Sequence, residues 1–266
     1  MPLAAQDFLG RPEPLRKVGI DQNLNHQLPL YAAFVDDTGK PVHLGDYFQN
    51  RPVVLAFVYY RCPMLCNLEL DGMVASLKQI RLKPGADYQV VAISIDDRET
   101  SDLAAAKKRT YLKHFPEAGD GSSLHFLTGQ RGEILRVADA AGFHFTYDER
   151  QKQFAHASGI MVATPEGRLA RYFYGIHYDQ RDLRLGLVEA SANKIGSPTD
   201  EILLFCYHYD PTTGKYGLAI QNSLKIGGGI TIFAVVALLA FLIRKDRTKK
   251  PGPDVAIGPG GRWRSV

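Results

Sequence analysis

The chain has 266 residues, 45% hydrophobic and 23% charged, a composition typical of a folded protein and not of a fibrous or wholly disordered one. The net charge of +4 comes from the C-terminus, because residues 244–266 carry seven Lys or Arg and two Asp, which sum to +5. The preceding 243 residues therefore have a net charge of −1. This distribution argues against nucleic-acid binding, which needs a basic face on the folded part of a protein.

The predicted elements begin after residues 1–27, which are rich in Pro, Asn and Gln and are interpreted as an extended N-terminal segment. Alternation of apolar and polar residues over 30–44 predicts a hairpin that turns at 36–40. Strands that alternate with helices predict an α/β fold with a mostly parallel sheet, in which the last two strands pair antiparallel. The further strands are predicted at 52–60, 88–95, 124–127, 159–164 and 169–175, and the helices at 63–81, 99–114, 130–141 and 179–194.

The uncharged run IGGGITIFAVVALLAFLI at 226–243 predicts a transmembrane helix, because it is apolar on every side and approaches the roughly 20 residues that a bilayer requires. A buried core helix is the alternative. The basic residues that follow at 244–250 predict a cytoplasmic anchor, which puts the main domain on the extracytoplasmic (periplasmic or outer) face of the cell membrane. We then expect 195–225 to be a connector and 244–266 a basic, disordered tail.

An extracytoplasmic domain needs an export signal, and the first 15 residues contain neither the basic region nor the apolar region of such a signal. Either the start of the chain is truncated or processed, or the predicted orientation is wrong, and truncation is the interpretation that we favour.

Two of the three cysteines, Cys62 and Cys66, lie where the strand at 52–60 gives way to a helix. Residues four apart share one face of a helix, so both sulfurs can point the same way. Amides at a helix N-terminus lower the pKa of nearby thiols, and Pro63 suits the first helical position. We therefore expect an exposed corner with two activated sulfurs, which can form a disulfide or hold a soft metal. Two inert buried thiols are the alternative.

A metal held by this pair would need a ligand from elsewhere in the chain. Zinc usually has four ligands and no second cysteine pair is present, whereas Cu(I) is satisfied by two or three soft ligands. Of the eight histidines, His156 is the leading candidate, because it precedes a predicted core strand whose start should face the cysteine corner. Spacing alone leaves the other histidines open. Cys206 and His208 could form an accessory metal pair, although a packed thiol and a surface histidine are the simpler explanation.

Four motifs follow one another along the chain: CPMLC at 62–66, SIDDRET at 94–100, FLTG at 126–129, and PEG at 165–167 at a defined spacing after His156. In these motifs the chain resembles the Sco/SenC family of copper-binding, thioredoxin-like proteins, and the resemblance covers roughly residues 20–192. The resemblance implies a thioredoxin-like domain over 28–194 with a central mixed sheet flanked by helices. It implies copper, as Cu(I) or Cu(II), bound by Cys62, Cys66 and His156, with the two cysteines also forming a redox-active disulfide pair. The implied partner is cytochrome c oxidase subunit II, whose binuclear copper site the family helps to assemble, or a related copper protein.

The chain also departs from the family pattern. Met64, Asn67 and Asp97 stand where Asp or Pro is usual, and the predicted membrane anchor is C-terminal, whereas that of the family is usually N-terminal. These departures concern the tuning of the site and leave the three implied ligands in place.

Three functions compete for the cysteine pair. Metal binding and disulfide formation use the same two sulfurs, so a copper chaperone and a thiol–disulfide oxidoreductase that reduces exported proteins are both compatible with them. The position of His156 favours the chaperone. A thioredoxin-type reductase would carry CxxC in place of CPMLC, and it would have a cis-Pro just before the third core strand, where this chain has ASGI. A peroxidase of the peroxiredoxin type would need a Thr/Cys corner and a distant Arg, which the sequence does not identify.

Overall fold

The computed structural model of the chain divides into two compact units, Met1–Pro198 and Thr199–Val266. The first unit contains the predicted thioredoxin-like domain. The second contains most of the predicted connector, together with the predicted membrane segment and tail. The residues that the structure describes are 18–63, 65–196, 209–210, 215–216, 228, 231, 232, 235 and 240.

Among the described residues of the second unit, Tyr209–Asp210 and Lys215–Tyr216 are short strands that pair antiparallel. Most of the predicted transmembrane helix at 226–243, and all of the tail at 244–266, lie outside the described residues. Within the described part of the chain, no helix has both the length and the apolar character needed to cross a bilayer.

The first unit contains the strands and helices that the sequence predicts, with ends within a few residues of the predicted ones, and three further strands. Its strands are β1 (Gly19–Ile20), β2 (Ala33–Val35), β3 (Pro41–His43), β4 (Val53–Val58), β5 (Gln89–Ser94), β6 (Leu124–Leu127), β7 (Phe143–Asp148), β8 (Gln153–His156), β9 (Gly159–Ala163) and β10 (Leu169–Tyr174). Its helices are α1 (Leu65–Leu77), α2 (Ser101–His114), α3 (Arg131–Ala140) and α4 (Gln180–Ser191). The strands β1, β7 and β8 were not predicted.

The core is a five-stranded sheet in the order β10-β9-β4-β5-β6. The pairs β4–β5 and β5–β6 are parallel, whereas β9 runs antiparallel to both β4 and β10. The prediction of a mostly parallel sheet is therefore wrong, and the sheet is evenly mixed. The physical reason is the connection: β9 follows the strand β8 and not a helix, and parallel neighbours need a crossover connection, usually helical. A mixed sheet flanked by helices fits the thioredoxin-like fold.

The sheet determines which chain segments meet at one end of the domain. Every residue of β4 and β5 is buried, as expected for Val- and Ile-rich strands at the centre of a sheet. Ala56 of β4 is paired with Ile160 of β9, so the end of β4 lies beside the start of β9. The turn after β4 carries Cys62, and the segment before β9 carries His156. The antiparallel pairing therefore brings together two segments that are far apart in sequence.

The strands β7 and β8 form an antiparallel hairpin, and β1 pairs with the outer side of β7. Phe145 of β7 is opposite His156, which is the last residue of β8. The sequence FHFTYDERQKQFAH contains the signal for this hairpin, since apolar and polar residues alternate on both sides of a charged turn. The hairpin determines the position of His156.

Candidate metal centre

The two cysteines lie on the turn from β4 into α1, where each sulfur accepts a backbone hydrogen bond. The Cys66 N–H donates to Cys62 Sγ at 3.4 Å, and the Tyr59 N–H donates to Cys66 Sγ at 3.4 Å. Backbone amides at this strand-to-helix turn therefore orient both sulfurs.

The cysteine corner is buried, with Cys62 7% and Cys66 0% exposed. The prediction of an exposed corner is therefore wrong, because the chain packs the hairpin β7–β8 against it. Burial, followed by the hydrogen bond with Cys62, raises the pKa of the Cys66 thiol far above its usual range. The predicted activation by the helix N-terminus is also wrong for Cys66, since the cost of burying a thiolate exceeds the stabilisation of about 0.3–1 kcal/mol that a helix end provides.

His156 lies against the thiol of Cys66. The two are 90 positions apart in sequence, yet His156 Nε2 is 3.1 Å from Cys66 Sγ. His156 Nδ1 is 2.8 Å from the carbonyl oxygen of Ala157. A carbonyl can only accept, so Nδ1 carries the ring proton and the lone pair of Nε2 faces the sulfur. The rings of Tyr59 and Phe143 lie beside the imidazole, with centroids 6.1 and 5.9 Å away.

The structure thus brings Cys62, Cys66 and His156 to one place, but not into a finished coordination geometry. Within the described ranges, no three His, Cys, Asp or Glu side chains are arranged so that they could hold a metal ion as they stand. His156 contacts Cys66, whereas the sulfur of Cys62 accepts the Cys66 amide. The candidate accessory pair, Cys206 and His208, lies outside the described residues.

The sequence analysis did not predict that a carboxyl group is buried beside the cysteines. Glu69 lies on α1 and is fully buried. Ser158 Oγ donates to its Oε2 at 2.9 Å, and Oε1 is without a hydrogen-bond partner. Burial raises the pKa of Glu69 to about 8, although hydrogen bonds from Ser158 and the Gly159 amide favour the carboxylate. The helical spacing could have indicated this position, because Glu69 follows Cys66 by three residues and lies on the same face of α1.

A cleft of about 440 Å³ opens next to the corner. Tyr59, Arg61 and Pro63 line one side, and residues of the hairpin β7–β8 line the other. Arg61 and Pro63 are the chain neighbours of Cys62, so another molecule in the cleft would lie close to this cysteine.

The family model described as SCO1/SenC matches residues 30–186, which is more than half of the chain and includes Cys62, Cys66 and His156. The chain belongs to the SCO1/SenC family. The mixed sheet and the hairpin before β9 both lie within the matched residues.

Relatives of this SCO1/SenC chain include "Protein SCO2 homolog, mitochondrial" of Homo sapiens, 27% identical over 171 residues, which are 61% of this chain and 57% of the relative. The chain spans about half the length of the curated relatives it matches. Solved structures with the same fold include a SCO1/SenC family lipoprotein from Bacillus anthracis str. Ames, with a TM-score of 0.53, 20% identity, and coverage of 63% of this chain and 96% of that one. Another is BsSco, a Sco family cytochrome c oxidase assembly protein with a disulfide switch, with a TM-score of 0.51, 18% identity, and coverage of 65% and 99%.

Proposed function

We propose that this chain is a copper chaperone that binds copper through Cys62, Cys66 and His156 and helps to assemble the binuclear copper site of cytochrome c oxidase subunit II. The observation that carries the proposal is the 3.1 Å contact between Cys66 Sγ and His156 Nε2 in a chain of the SCO1/SenC family. BsSco, which has the same fold, is described as belonging to a family of cytochrome c oxidase assembly proteins.

Copper is the cargo in this proposal, and the donor atoms suit it. Two thiolates and one imidazole form a soft three-coordinate set for Cu(I), and the neutral nitrogen also serves Cu(II). The hydrogen bond from Nδ1 to Ala157 holds the ring so that Nε2 stays directed at Cys66. Cys62 completes the set when its sulfur turns from the Cys66 amide towards the cation. Binding displaces the thiol protons, so we expect the affinity to rise with pH.

A second candidate function is an extracytoplasmic thiol–disulfide oxidoreductase that reduces cysteines of exported proteins. The observation that favours it is that the chain neighbours of Cys62 line the cleft, whereas Cys66 is fully buried. In this reaction the thiolate of Cys62 attacks one sulfur of a client disulfide and releases the other as a thiolate. Cys66 then attacks the Cys62 sulfur and releases the second client thiol, which leaves a Cys62–Cys66 disulfide.

We also propose that residues 226–243 anchor the chain in the cell membrane, with the copper-binding domain on the extracytoplasmic face. The uncharged run and the basic residues after it support this location. The full chain is expected to stay in the membrane fraction after alkaline carbonate washing, and a chain that ends at 225 should be released. Release of both chains would contradict the anchor.

Replacing His156 tests the copper-binding function directly. His156→Ala is expected to weaken Cu(II) binding by about 100-fold or more, because changes outside the ligand set alone cost about 10–100-fold. Cu(I) binding should weaken less, since both sulfurs remain. Competition with a chelator of known affinity measures both ions on the reduced full chain.

The matched control is His26→Ala, which removes an exposed imidazole and should bind both ions as wild type does. Equal binding of both ions by wild type and His156→Ala would refute the proposed ligand set.

A further inference from the structure

Glu99 holds the backbone that leads to Cys62. It is 6% exposed, and each of its carboxylate oxygens accepts one of two consecutive backbone amides. Tyr60 N–H donates to Oε2 and Arg61 N–H donates to Oε1, both at 2.7 Å. Ser94 Oγ also donates to Oε2 at 2.7 Å. Hydrogen bonds to an ionised acceptor are short and strong, so one side chain fixes the path of the corner after β4 ends.

Arg98 contacts the hairpin that carries His156. Its Nε and Nη2 donate to the two carboxylate oxygens of the buried Asp96 at 2.7 and 2.9 Å, a bidentate pair that fixes the plane of the guanidinium. The guanidinium lies over two rings of the hairpin, 4.9 Å from the centroid of Tyr147 and 5.6 Å from that of Phe154. Such cation–π contacts attract the hairpin towards Arg98.

Arg98 and Glu99 are adjacent in the turn between β5 and α2, and together they connect both parts of the site. We propose that they are positioning residues: Glu99 fixes the Cys62 corner, Arg98 fixes the hairpin that ends at His156, and the pair maintains the contact between Cys66 and His156. Neither side chain is one of the proposed ligands. The inference rests on the proposed copper-binding function, and it assigns a physical role to the SIDDRET segment at 94–100.

Two conservative substitutions test the proposal in the reduced full chain. Arg98→Lys keeps the charge but loses the planar bidentate pair and much of the ring contact. Glu99→Gln keeps the shape but has a single acceptor oxygen, so one of the two amides loses its partner. We expect each variant to bind Cu(II), added as the metal alone, about 10-fold or more weakly than wild type, as for other groups that orient ligands.

A second measurement does not involve copper. Amide hydrogen exchange at Tyr60 and Arg61 should accelerate in Glu99→Gln, and exchange in the hairpin β7–β8 should accelerate in Arg98→Lys. The matched controls are Glu133→Gln and Arg136→Lys, which change a surface ion pair one turn apart on α3 and should alter neither exchange nor copper binding at the site.

A third control separates positioning from loss of stability. Leu183→Ala removes a fully buried side chain from α4 and destabilises the domain without changing Arg98 or Glu99. The proposal is overturned if Leu183→Ala weakens copper binding as much as the two test variants do at a similar unfolding midpoint. It is also overturned if Arg98→Lys and Glu99→Gln bind copper as wild type does. That result would refute the positioning role but not the proposed copper-binding function. Failure of the wild type itself to bind copper refutes that function instead.

Discussion

Cys66→Ser is expected to weaken Cu(I) binding by about 1,000-fold or more, the largest effect of any single substitution in the site. Cys66 is the residue that contacts His156 and also donates its amide to Cys62. A hydroxyl oxygen is a poor ligand for a soft cation, and loss of a direct ligand exceeds the roughly 10–100-fold cost of changes outside the ligand set. The variant also cannot form the Cys62–Cys66 disulfide. Chelator competition measures the affinity, and thiol counting after mild oxidation measures the disulfide.

Cys206→Ser is the matched control, since Cys206 is the third cysteine of the chain and lies outside the described residues. It should retain both Cu(I) affinity and disulfide formation. If Cys66→Ser keeps a Cu(I) affinity within tenfold of wild type, the sulfur of Cys66 is not a copper ligand. If Cys206→Ser loses affinity instead, the accessory pair of Cys206 and His208 becomes the better candidate.

Glu69→Gln is expected to remove a large pH dependence of stability. The pKa of Glu69 is about 8 in the folded chain against about 4.5 for an ordinary Glu, so the folded state holds its proton to a higher pH than the unfolded state does. The stabilisation is therefore complete below about pH 4.5 and decreases as the pH rises to about 8. Each pKa unit is worth about 1.4 kcal/mol, so the total decrease is about 3–5 kcal/mol.

The glutamine amide copies the shape of the protonated carboxyl group and cannot ionise, so Glu69→Gln should be more stable than wild type at pH 9 by a similar amount. Urea unfolding of the full chain between pH 5 and 9 measures the difference. Glu117→Gln, at an exposed position, should keep the slope of wild type. The same slope in wild type and Glu69→Gln would show that Glu69 titrates normally.

Most of the fold could be predicted from local sequence. The continuous apolar runs at 52–60 and 88–95 became the buried strands β4 and β5, and the PEG turn produced the antiparallel pair β9 and β10. The cysteines were placed correctly at the turn from a strand into a helix. These predictions succeeded because the period of apolar residues and the chemistry of turns act over a few residues. The proposed ligands came from spacing and from the family resemblance.

Only the tertiary structure decided the environment of the site. The tertiary structure made the sheet evenly mixed and buried Cys66, which raises the pKa of its thiol. It also placed His156 Nε2 3.1 Å from the Cys66 sulfur and buried the carboxyl group of Glu69. It also directed Glu99 to the amides of Tyr60 and Arg61. The physical reason is that burial and hydrogen-bond partners come from segments far apart along the chain, which the pairing of β9 with β4 and the hairpin β7–β8 bring together. The sequence by itself determined which groups are available, and packing determined which of them meet.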